Sequence, residues 1–350
     1  MMNPLRVYIA PVALALVATG YFISRPEQRR VSGEQKHRGV CWVGQPQEVS
    51  AAEIQEIKAS GVNWISQTPF GWQRHNADTM VTGETLSHTP WWGESWAGIA
   101  ATTRMAKEQG IQTLLKPHLW VRDSWPGEIE MRSDEDWKAW FRNYERFILT
   151  YAKLADSVGI SIFCIGTELH KTIHRPEWRS LISKVRQVYA GKITYAANFN
   201  DEFEEVAFWN ELDFIGVQAY FPLSKNPDPK LSELRQGWRD PMNRIRKVHE
   251  AFRKPVIFTE LGYRSTPDAA MEPWRWPQRE ESVSLEAQAN CYEAFFQTAW
   301  QEPWIAGVYF WKWYPHTPRR AMESDFTPQG KPALDVMSKW FEKASATRND

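Results

Sequence analysis

The chain has 350 residues, 43% of them hydrophobic and 24% charged, so it is long and apolar enough to bury a large core. Lysines plus arginines number 42, as do aspartates plus glutamates, and this balance gives no support to nucleic-acid binding. The three cysteines, Cys41, Cys164 and Cys291, are an odd number whose spacing fits neither a disulfide framework nor a metal cluster.

Tryptophan is unusually frequent, with 20 residues. An indole has apolar faces and one polar N–H, which suits a surface that is apolar on one side and wet on the other, as a sugar ring is. Large aromatic side chains also dominate protein cores. We expect about half of the tryptophans to pack between the sheet and the helices. The others are candidates for sugar-binding faces.

Residues 1–36 are predicted to precede the folded domain as a signal peptide or membrane anchor plus linker. The run 7–23 is apolar and uncharged, follows Arg6, and gives way to the polar stretch 25–38. This layout is typical of a secretory signal or an uncleaved anchor, and the run is near the short limit for a spanning helix. We therefore expect an exported protein that is extracellular, periplasmic or anchored in a membrane through residues 7–23.

Beyond this segment, short β-rich runs alternate with amphipathic helical runs. The candidate strands are apolar on both faces, as parallel strands are when helices cover them outside and side chains fill the space inside. In chain order they span residues 39–43, 62–68, 111–118, 160–167, 193–197, 214–219, 256–259 and 307–311.

Several of the intervening helices have clear start or stop signals. Ser50 and Glu53 form a capping-box pattern, and Gly61 stands where that helix should end. Gly110 and Gly159 similarly follow helical runs. The other helical runs in chain order are 105–109, 136–157, 176–189, 283–300 and 332–344.

Eight strand–helix units without internal duplication predict a single-domain α/β protein, a (β/α)8 TIM barrel over residues 37–350. An open α/β sheet is the alternative. The first strand is followed by residues 44–46, which contain no glycine-rich turn, so a dinucleotide-binding fold has little support. We expect no cofactor.

Two of the strands end in a glutamate. Glu168 follows the fourth strand and Glu260 follows the seventh, at the barrel mouth where such folds keep their working residues. Across a narrow barrel two such carboxyl groups can stand ~5–5.5 Å apart, the separation that retaining glycosidases use. Like charges this close raise one pKa, which provides one acid and one ionised base. Each glutamate alone could instead cap a helix or pair with an arginine.

The motifs around these glutamates resemble those of clan A glycoside hydrolases, and within the clan those of glycoside hydrolase family 113. The matching segments are Gly166-Thr167-Glu168-Leu169, residues 259–263 (TELGY), residues 38–40 (RGV), residues 67–72 (QTPFGW) and residues 326–332 (FTPQGKP). These short segments are spread along the chain, so the resemblance extends over nearly all of it beyond residue 37. The resemblance implies a retaining hydrolase of β-1,4-mannan or manno-oligosaccharides.

Carried onto this sequence, the resemblance implies Glu168 as the general acid/base and Glu260 as the nucleophile of a double displacement through a glycosyl-enzyme intermediate. Most of the clan has asparagine before the acid/base, where it touches the sugar 2-hydroxyl. Thr167 occupies that position here. Because mannosides have an axial 2-hydroxyl, a changed partner is compatible with a mannan substrate.

Other polar and aromatic residues at strand ends are candidates for binding a carbohydrate substrate. The clan implies that the Tyr220 hydroxyl bonds to the nucleophile, although a rim aromatic in water is equally compatible. Trp311 is the candidate floor of the cleaved subsite. Lys116, His118 and Asn198 are candidate partners of sugar hydroxyls, or ties for loops. Trp120, beside Lys116 and His118, is a candidate stacking face. The loop aromatics that can line a cleft are Phe70, Trp72, Trp91, Trp92, Trp125, Trp274 and Trp276.

Other functions are also compatible with the sequence. Lys116 and Lys312 near strand ends would suit a Schiff-base aldolase, which leaves the glutamate pair unexplained. A barrel that binds glycans at the cell surface without cleaving them is a non-enzymatic alternative. Another β-glycan, such as glucan or xylan, could replace mannan as substrate. His170 and His174 have a metal-binding spacing but no third ligand in view, so no metal is expected.

Overall fold

The computed structural model describes residues 35–82, 91–276, 281–316 and 323–346, which belong to one compact unit. The predicted signal or anchor segment, residues 7–23, lies outside these ranges. Within them, no helix combines the length and the apolar character that crossing a membrane requires.

Eight parallel strands close into a barrel, and each overlaps one of the eight predicted strands. The prediction of a (β/α)8 barrel is therefore confirmed. In chain order the barrel strands are β1 (His37–Trp42), β2 (Trp64–Gln67), β4 (Gln112–Leu115), β6 (Ile162–Thr167), β7 (Lys192–Asn198), β8 (Ile215–Gln218), β9 (Val256–Leu261) and β10 (Ile305–Trp313). Hydrogen bonding between β1 and both β2 and β10 closes the sheet.

Helices surround the barrel. The described residues form α1 (Ala51–Ala59), α2 (Trp96–Glu108), α3 (Asp134–Val158), α4 (Glu177–Val188), α5 (Glu202–Glu205), α6 (Leu231–Gly237), α7 (Arg239–Phe252), α8 (Leu285–Gln297) and α9 (Pro332–Ala346). The capping box of Ser50 and Glu53 is present at the start of α1. Gly159 ends α3 with a φ of 69°, a left-handed conformation that glycine adopts without a Cβ penalty.

The third predicted strand, residues 111–118, is interrupted, and this corrects the sequence expectation. It divides into β4 and a separate strand β5 (His118–Val121), because Pro117 between them has no N–H to donate to a ladder. Pro69 likewise stands between β2 and an unexpected strand β3 (Phe70–Gln73). The strands β3 and β5 pair with each other in a small parallel sheet outside the barrel.

The core has two parts. One cluster gathers buried side chains from six barrel strands, among them Cys41, Cys164 and Tyr309, and fills the inside of the barrel. The larger cluster packs the helices against the outside of the sheet. Nine of the 20 tryptophans are buried and six are exposed, so close to half of them pack in the core as expected.

Candidate active site

Glu168 and Glu260 lie at the same end of the barrel. Glu168 directly follows β6, and Glu260 is the penultimate residue of β9. Because all strands are parallel, both carboxylates stand at the carboxyl-terminal mouth, with β7 and β8 between their strands. Glu168 has a φ of 52°, a left-handed conformation that is uncommon for a residue with a side chain.

The Glu260 carboxylate is surrounded by donors. Lys116 Nζ donates to Oε1, and Tyr220 Oη donates to Oε2 at 2.6 Å. Burial, reinforced by the charge of Glu260, raises the pKa of Tyr220 well above its ordinary value, so the hydroxyl keeps the proton that it donates. The hydrogen bond implied by the resemblance is thus present. These contacts stabilise Glu260 as an acceptor-only carboxylate, the form that a nucleophile requires.

Lys116 is fully buried and bonded to Glu260, which argues against the predicted contact with a sugar hydroxyl and leaves the alternative of a structural tie. Its Nζ also lies 3.2 Å from Oε1 of Gln218, which accepts a second bond from Thr259. Burial opposes charge on Lys116, but the adjacent Glu260 outweighs it and raises the pKa of the ammonium. A Schiff-base lysine must be a neutral amine, and this position therefore disfavours aldolase chemistry.

His118 opens β5 beside the same carboxylate, with Nε2 3.6 Å from Oε1 of Glu260. Burial, with help from the charge of Lys116, lowers the pKa of His118 well below its ordinary value, so the ring is neutral. Its Nε2 is buried without a hydrogen-bond partner in the part of the chain that the structure describes. His118 thus stands beside the Glu260 carboxylate, and its predicted contact with a sugar hydroxyl stays a prediction.

Glu168 has a different environment. Trp125 Nε1 donates to Oε2 at 3.0 Å, and Asn198 Nδ2 donates to Oε1 at 2.7 Å. Burial raises the pKa of Glu168 despite these two bonds, and repulsion from Glu260 adds to the rise. A carboxyl group with a raised pKa retains its proton until a leaving group needs it, which suits a general acid.

Trp311, near the end of β10, is half-buried at the mouth. Its ring meets that of Trp276 edge to face, with 6.5 Å between centroids. The peptide bond from Trp311 to Lys312 is cis. Lys312 Nζ lies 3.4 Å from Asp325 and 5.5 Å from the Trp276 ring. The partly open indole of Trp311 is compatible with its expected role beneath a sugar ring.

On the exposed face of the β3–β5 sheet lie Trp72 and Trp120, which we call the aromatic strip. Arg74 and Arg122, one residue beyond the two strands, follow them. Trp72 pairs with Trp120 in the register, their ring centroids are 6.0 Å apart, and each side chain is 48% exposed. These residues, with Met80 and Thr82, line a cavity of about 440 Å³. Because side chains alternate along a strand, Trp120 faces the same way as His118, about 7 Å further from Glu260.

The segment after β9 contributes a second aromatic surface. Trp274 stacks on Phe199, which follows Asn198, with ring centroids 5.2 Å apart. Trp276 lies beside Trp311, and both tryptophans of this segment are largely exposed. The fully buried Arg264 anchors the segment through Glu281 at 2.7 Å and Asp268 at 3.1 Å. Exposed aromatic faces therefore lie against the residue that follows Asn198, a partner of Glu168, and beside Trp311.

The two histidines with metal-like spacing make separate contacts. His170 Nδ1 lies 3.7 Å from Asp201, and His174 Nε2 lies 3.3 Å from Glu205. Among the residues with described positions, no three potential metal-ligating side chains come together.

Several side chains around Glu168 were not predicted from the sequence. Trp125 was named only as a loop aromatic, and Glu202 and Tyr195 were given no role. Glu202 is fully buried, and its carboxyl accepts hydrogen bonds from Tyr195 Oη and from the Asn198 backbone N–H. Burial raises the pKa of Glu202 to about 8 in spite of these donors. A glutamate in an acidic surface segment looks ordinary in the sequence, and only the fold reveals its burial.

The fold and the site define a glycoside hydrolase, since a closed parallel barrel presents two unequal carboxylates at the ends of its fourth and seventh strands. The model of Glycoside Hydrolase Family 113 matches residues 41–344. Because this match spans most of the sequence, the chain belongs to Glycoside Hydrolase Family 113. No curated protein sequence matches it.

Solved structures of the same family are similar along the whole barrel. The β-mannanase AaManA of Alicyclobacillus acidocaldarius, in complex with ManMIm, is 29% identical with a TM-score of 0.77, covering 89% of this chain and 99% of that one. A complex of a family 113 β-1,4-mannanase is 24% identical with a TM-score of 0.76 and the same coverage. A β-glucuronidase of Faecalibacterium prausnitzii, 13% identical, shares the fold alone, with a TM-score of 0.59 over 88% of this chain and 49% of that one.

Proposed function

We propose that the protein is a retaining hydrolase of β-1,4-linked mannan or manno-oligosaccharides, with Glu260 as nucleophile and Glu168 as general acid/base. The observation that supports this most strongly is the unequal environment of the two carboxylates. Glu260 faces an ammonium and a phenol, and the buried Glu168 faces neutral N–H donors. One group is prepared to attack and the other to deliver a proton.

In the first step a Glu260 oxygen attacks the anomeric carbon, and the bond from that carbon to the leaving oxygen breaks. Glu168 transfers its proton to the leaving oxygen, so the departing sugar leaves as an alcohol and a glycosyl ester remains on Glu260. Trp125 and Asn198 already bond to the Glu168 oxygens and would stabilise the carboxylate formed by this transfer.

In the second step Glu168 takes a proton from a water molecule, and the oxygen of that water attacks the anomeric carbon. The ester bond to Glu260 breaks, the released carboxylate recovers its bonds from Lys116 and Tyr220, and the sugar departs with its original anomeric configuration. Two inversions at one carbon give net retention.

The choice of mannan is supported by the family 113 β-mannanases to which the chain is similar. A substrate of several rings is supported by the aromatic strip and by the Trp274–Trp276 segment, since both place exposed indoles beyond the two carboxylates. Sugar rings stack on such faces through their C–H groups.

A panel of β-linked manno-, gluco- and xylo-oligosaccharides tests this function, with proton NMR recording the anomeric form of the earliest product. We expect hydrolysis of the manno-oligosaccharides with β-anomers appearing first, and no turnover by a folded Glu260→Gln variant. Early α-anomers would contradict retention, a preference for glucan or xylan would contradict the substrate, and binding of mannan without cleavage of any glycan would favour a non-catalytic role.

Export belongs to the same proposal and is supported by the apolar run at residues 7–23. Fractionation of cells that produce the full chain tests it. We expect activity in the membrane, the periplasm or the medium, and activity confined to the cytosol would contradict it.

A further inference from the structure

A buried carboxyl group stands behind the proposed acid/base. Glu202 is 0% exposed at the start of α5 and takes no part in the mechanism described above. Tyr195 Oη donates to its Oε1, and the Asn198 backbone N–H donates to its Oε2 at 2.7 Å. Burying a polar group is costly unless it is hydrogen-bonded, so the buried Glu202 carboxyl depends on both hydrogen bonds.

Both contacts lead to Glu168. Tyr195 Oη accepts a hydrogen bond from the backbone N–H of Leu169, at 2.8 Å, and Leu169 directly follows Glu168. Asn198 Nδ2 donates to Oε1 of Glu168 at 2.7 Å. Glu202 is therefore connected to the backbone of Glu168 by one route and to its carboxylate by the other. We call Glu202, Tyr195 and Asn198 the Glu202 clamp.

We propose that Glu202 is a positioning residue for the general acid/base, holding the Glu168 backbone through Tyr195 and the Glu168 carboxyl through Asn198. The inference rests on the proposed function, because it assigns no chemistry to Glu202 beyond the orientation of Glu168. It explains why a fully buried carboxyl group lies beside the mouth of the barrel.

The backbone at Glu168 needs such support. Its φ of 52° places a residue with a side chain in a sparsely populated region, which persists only when the surroundings fix it. The Leu169 N–H comes immediately after this residue, and its bond to Tyr195 holds the chain in that turn. Asn198 in turn is fixed at its side-chain oxygen by the Asn200 backbone N–H at 3.0 Å, so its amide N–H stays directed at Glu168.

Orientation matters most when a proton must be transferred. A general acid contributes about 10²–10⁴-fold to the rate, and an activated aryl leaving group needs little of that help. If the clamp positions Glu168 for proton delivery, its loss will slow the first step on substrates with poor leaving groups and spare that step on activated ones. Damage to the fold in general would slow both alike.

The test compares Tyr195→Phe and Glu202→Met with the matched control Tyr189→Phe. Phenylalanine removes only the hydroxyl, and methionine removes both hydrogen bonds whatever the protonation of Glu202. Tyr189 Oη donates to the Ile160 backbone carbonyl at 2.8 Å, beside the start of β6 and away from the mouth. The control therefore loses one buried hydrogen bond of the same kind. Circular dichroism and thermal unfolding establish that each variant is folded, and an unfolded Tyr195→Phe leaves Glu202→Met to decide.

For manno-oligosaccharides, we expect kcat/KM of both clamp variants to fall about tenfold or more. For a dinitrophenyl β-mannoside we expect kcat/KM, which reports only the first step, to stay within about twofold of the wild type. Tyr189→Phe should change neither. Equal losses on the two substrates, or no loss on either, would overturn the inference.

A double variant separates this inference from the proposed function. Residues that act through one group are non-additive, so Tyr195→Phe should cost nothing further in a Glu168→Gln background. A fully additive loss would contradict the clamp. If Glu168→Gln alone slowed both substrates equally, the acid/base assignment would fail instead. If it showed the leaving-group dependence and the clamp variants did not, only the role of Glu202 would be wrong.

Discussion

Lys116 and Glu260 form an ion pair at the centre of the barrel mouth, with 0% and 5% of their side chains exposed. The two residues are 144 positions apart in the chain, and closure of the barrel brings them together. A buried charge is tolerated only with a partner, so each of these groups depends on the other. The pair thereby fixes the carboxylate that we propose as nucleophile.

Lys116→Met should destabilise the protein and reduce its activity. The variant leaves Glu260 without its charged partner, and breaking a buried pair costs about 3–5 kcal/mol. We expect a loss of this size in the free energy of unfolding from urea denaturation, and at least a tenfold fall in kcat/KM. The control is Lys171→Met, which loses exposed ion pairs with Glu128 and Glu130 and should change neither quantity measurably. Equal effects of the two substitutions would contradict the account.

Tyr220→Phe should reduce kcat with little effect on the fold. The hydroxyl donates to Oε2 of Glu260, and a hydrogen bond of this kind stabilises a charged group by about 1.5–3 kcal/mol. We expect kcat to fall about 10- to 100-fold, measured on manno-oligosaccharides. Tyr292→Phe is the control, because the buried Tyr292 hydroxyl has no hydrogen-bond partner among the described residues. A fall in kcat of similar size in the control would mean that the loss does not come from Glu260.

The aromatic strip should act only on long substrates. Trp72 and Trp120 lie beyond His118 on the same face, so a short substrate at the carboxylates does not reach them. We expect the Trp72→Ala, Trp120→Ala double variant to lose about tenfold in kcat/KM on a mannohexaose, in keeping with the loss of one stacking contact. Activity on an aryl mannoside provides the internal control and should not change. A uniform loss at every chain length would argue against a distal subsite.

The pH dependence of stability should reveal Glu94, which is half-buried in the short 3-10 helix Trp92–Glu94. Burial raises its pKa to about 7, against a hydrogen bond from the Phe70 backbone. An acid with a raised pKa holds its proton more tightly when folded, so stability is complete below pH ~4.3 and falls as the pH rises through 7. Urea unfolding between about pH 4.5 and 7.5 should show a steeper fall for the wild type than for Glu94→Gln. Parallel curves would contradict this assignment.

Local patterns predicted those parts of the fold that depend on neighbours in the chain. The Ser50–Glu53 capping box and the left-handed Gly159 involve residues within a few positions of each other, and both are present. The eight barrel strands were recognisable because each is a short apolar run. Glu168 and Glu260 could be placed at the mouth because each follows such a run.

Contacts across the barrel could not be read from the sequence. The partnership of Lys116 with Glu260 depends on which strands face each other after closure, so the sequence predicted for Lys116 only a sugar-hydroxyl contact or a tie for a loop. The β3–β5 sheet was missed because each strand has only four residues and follows a proline that ends the preceding strand. Glu202 was missed because its burial depends on the packing of α5 against β7 and β8.

Trapping of the covalent intermediate tests the central claim most directly. In a 2-deoxy-2-fluoro-mannosyl fluoride, the fluoride at the anomeric carbon is a good leaving group. The fluorine at carbon 2 slows breakdown of the glycosyl ester, so the sugar should remain on the nucleophile. Mass spectrometry of the digested protein should locate one added sugar on the peptide that contains Glu260, on its carboxylate, and Glu260→Gln should remain unlabelled. A label on a different residue, or turnover with inversion and no adduct, would contradict the pairing of Glu260 as nucleophile with Glu168 as acid/base.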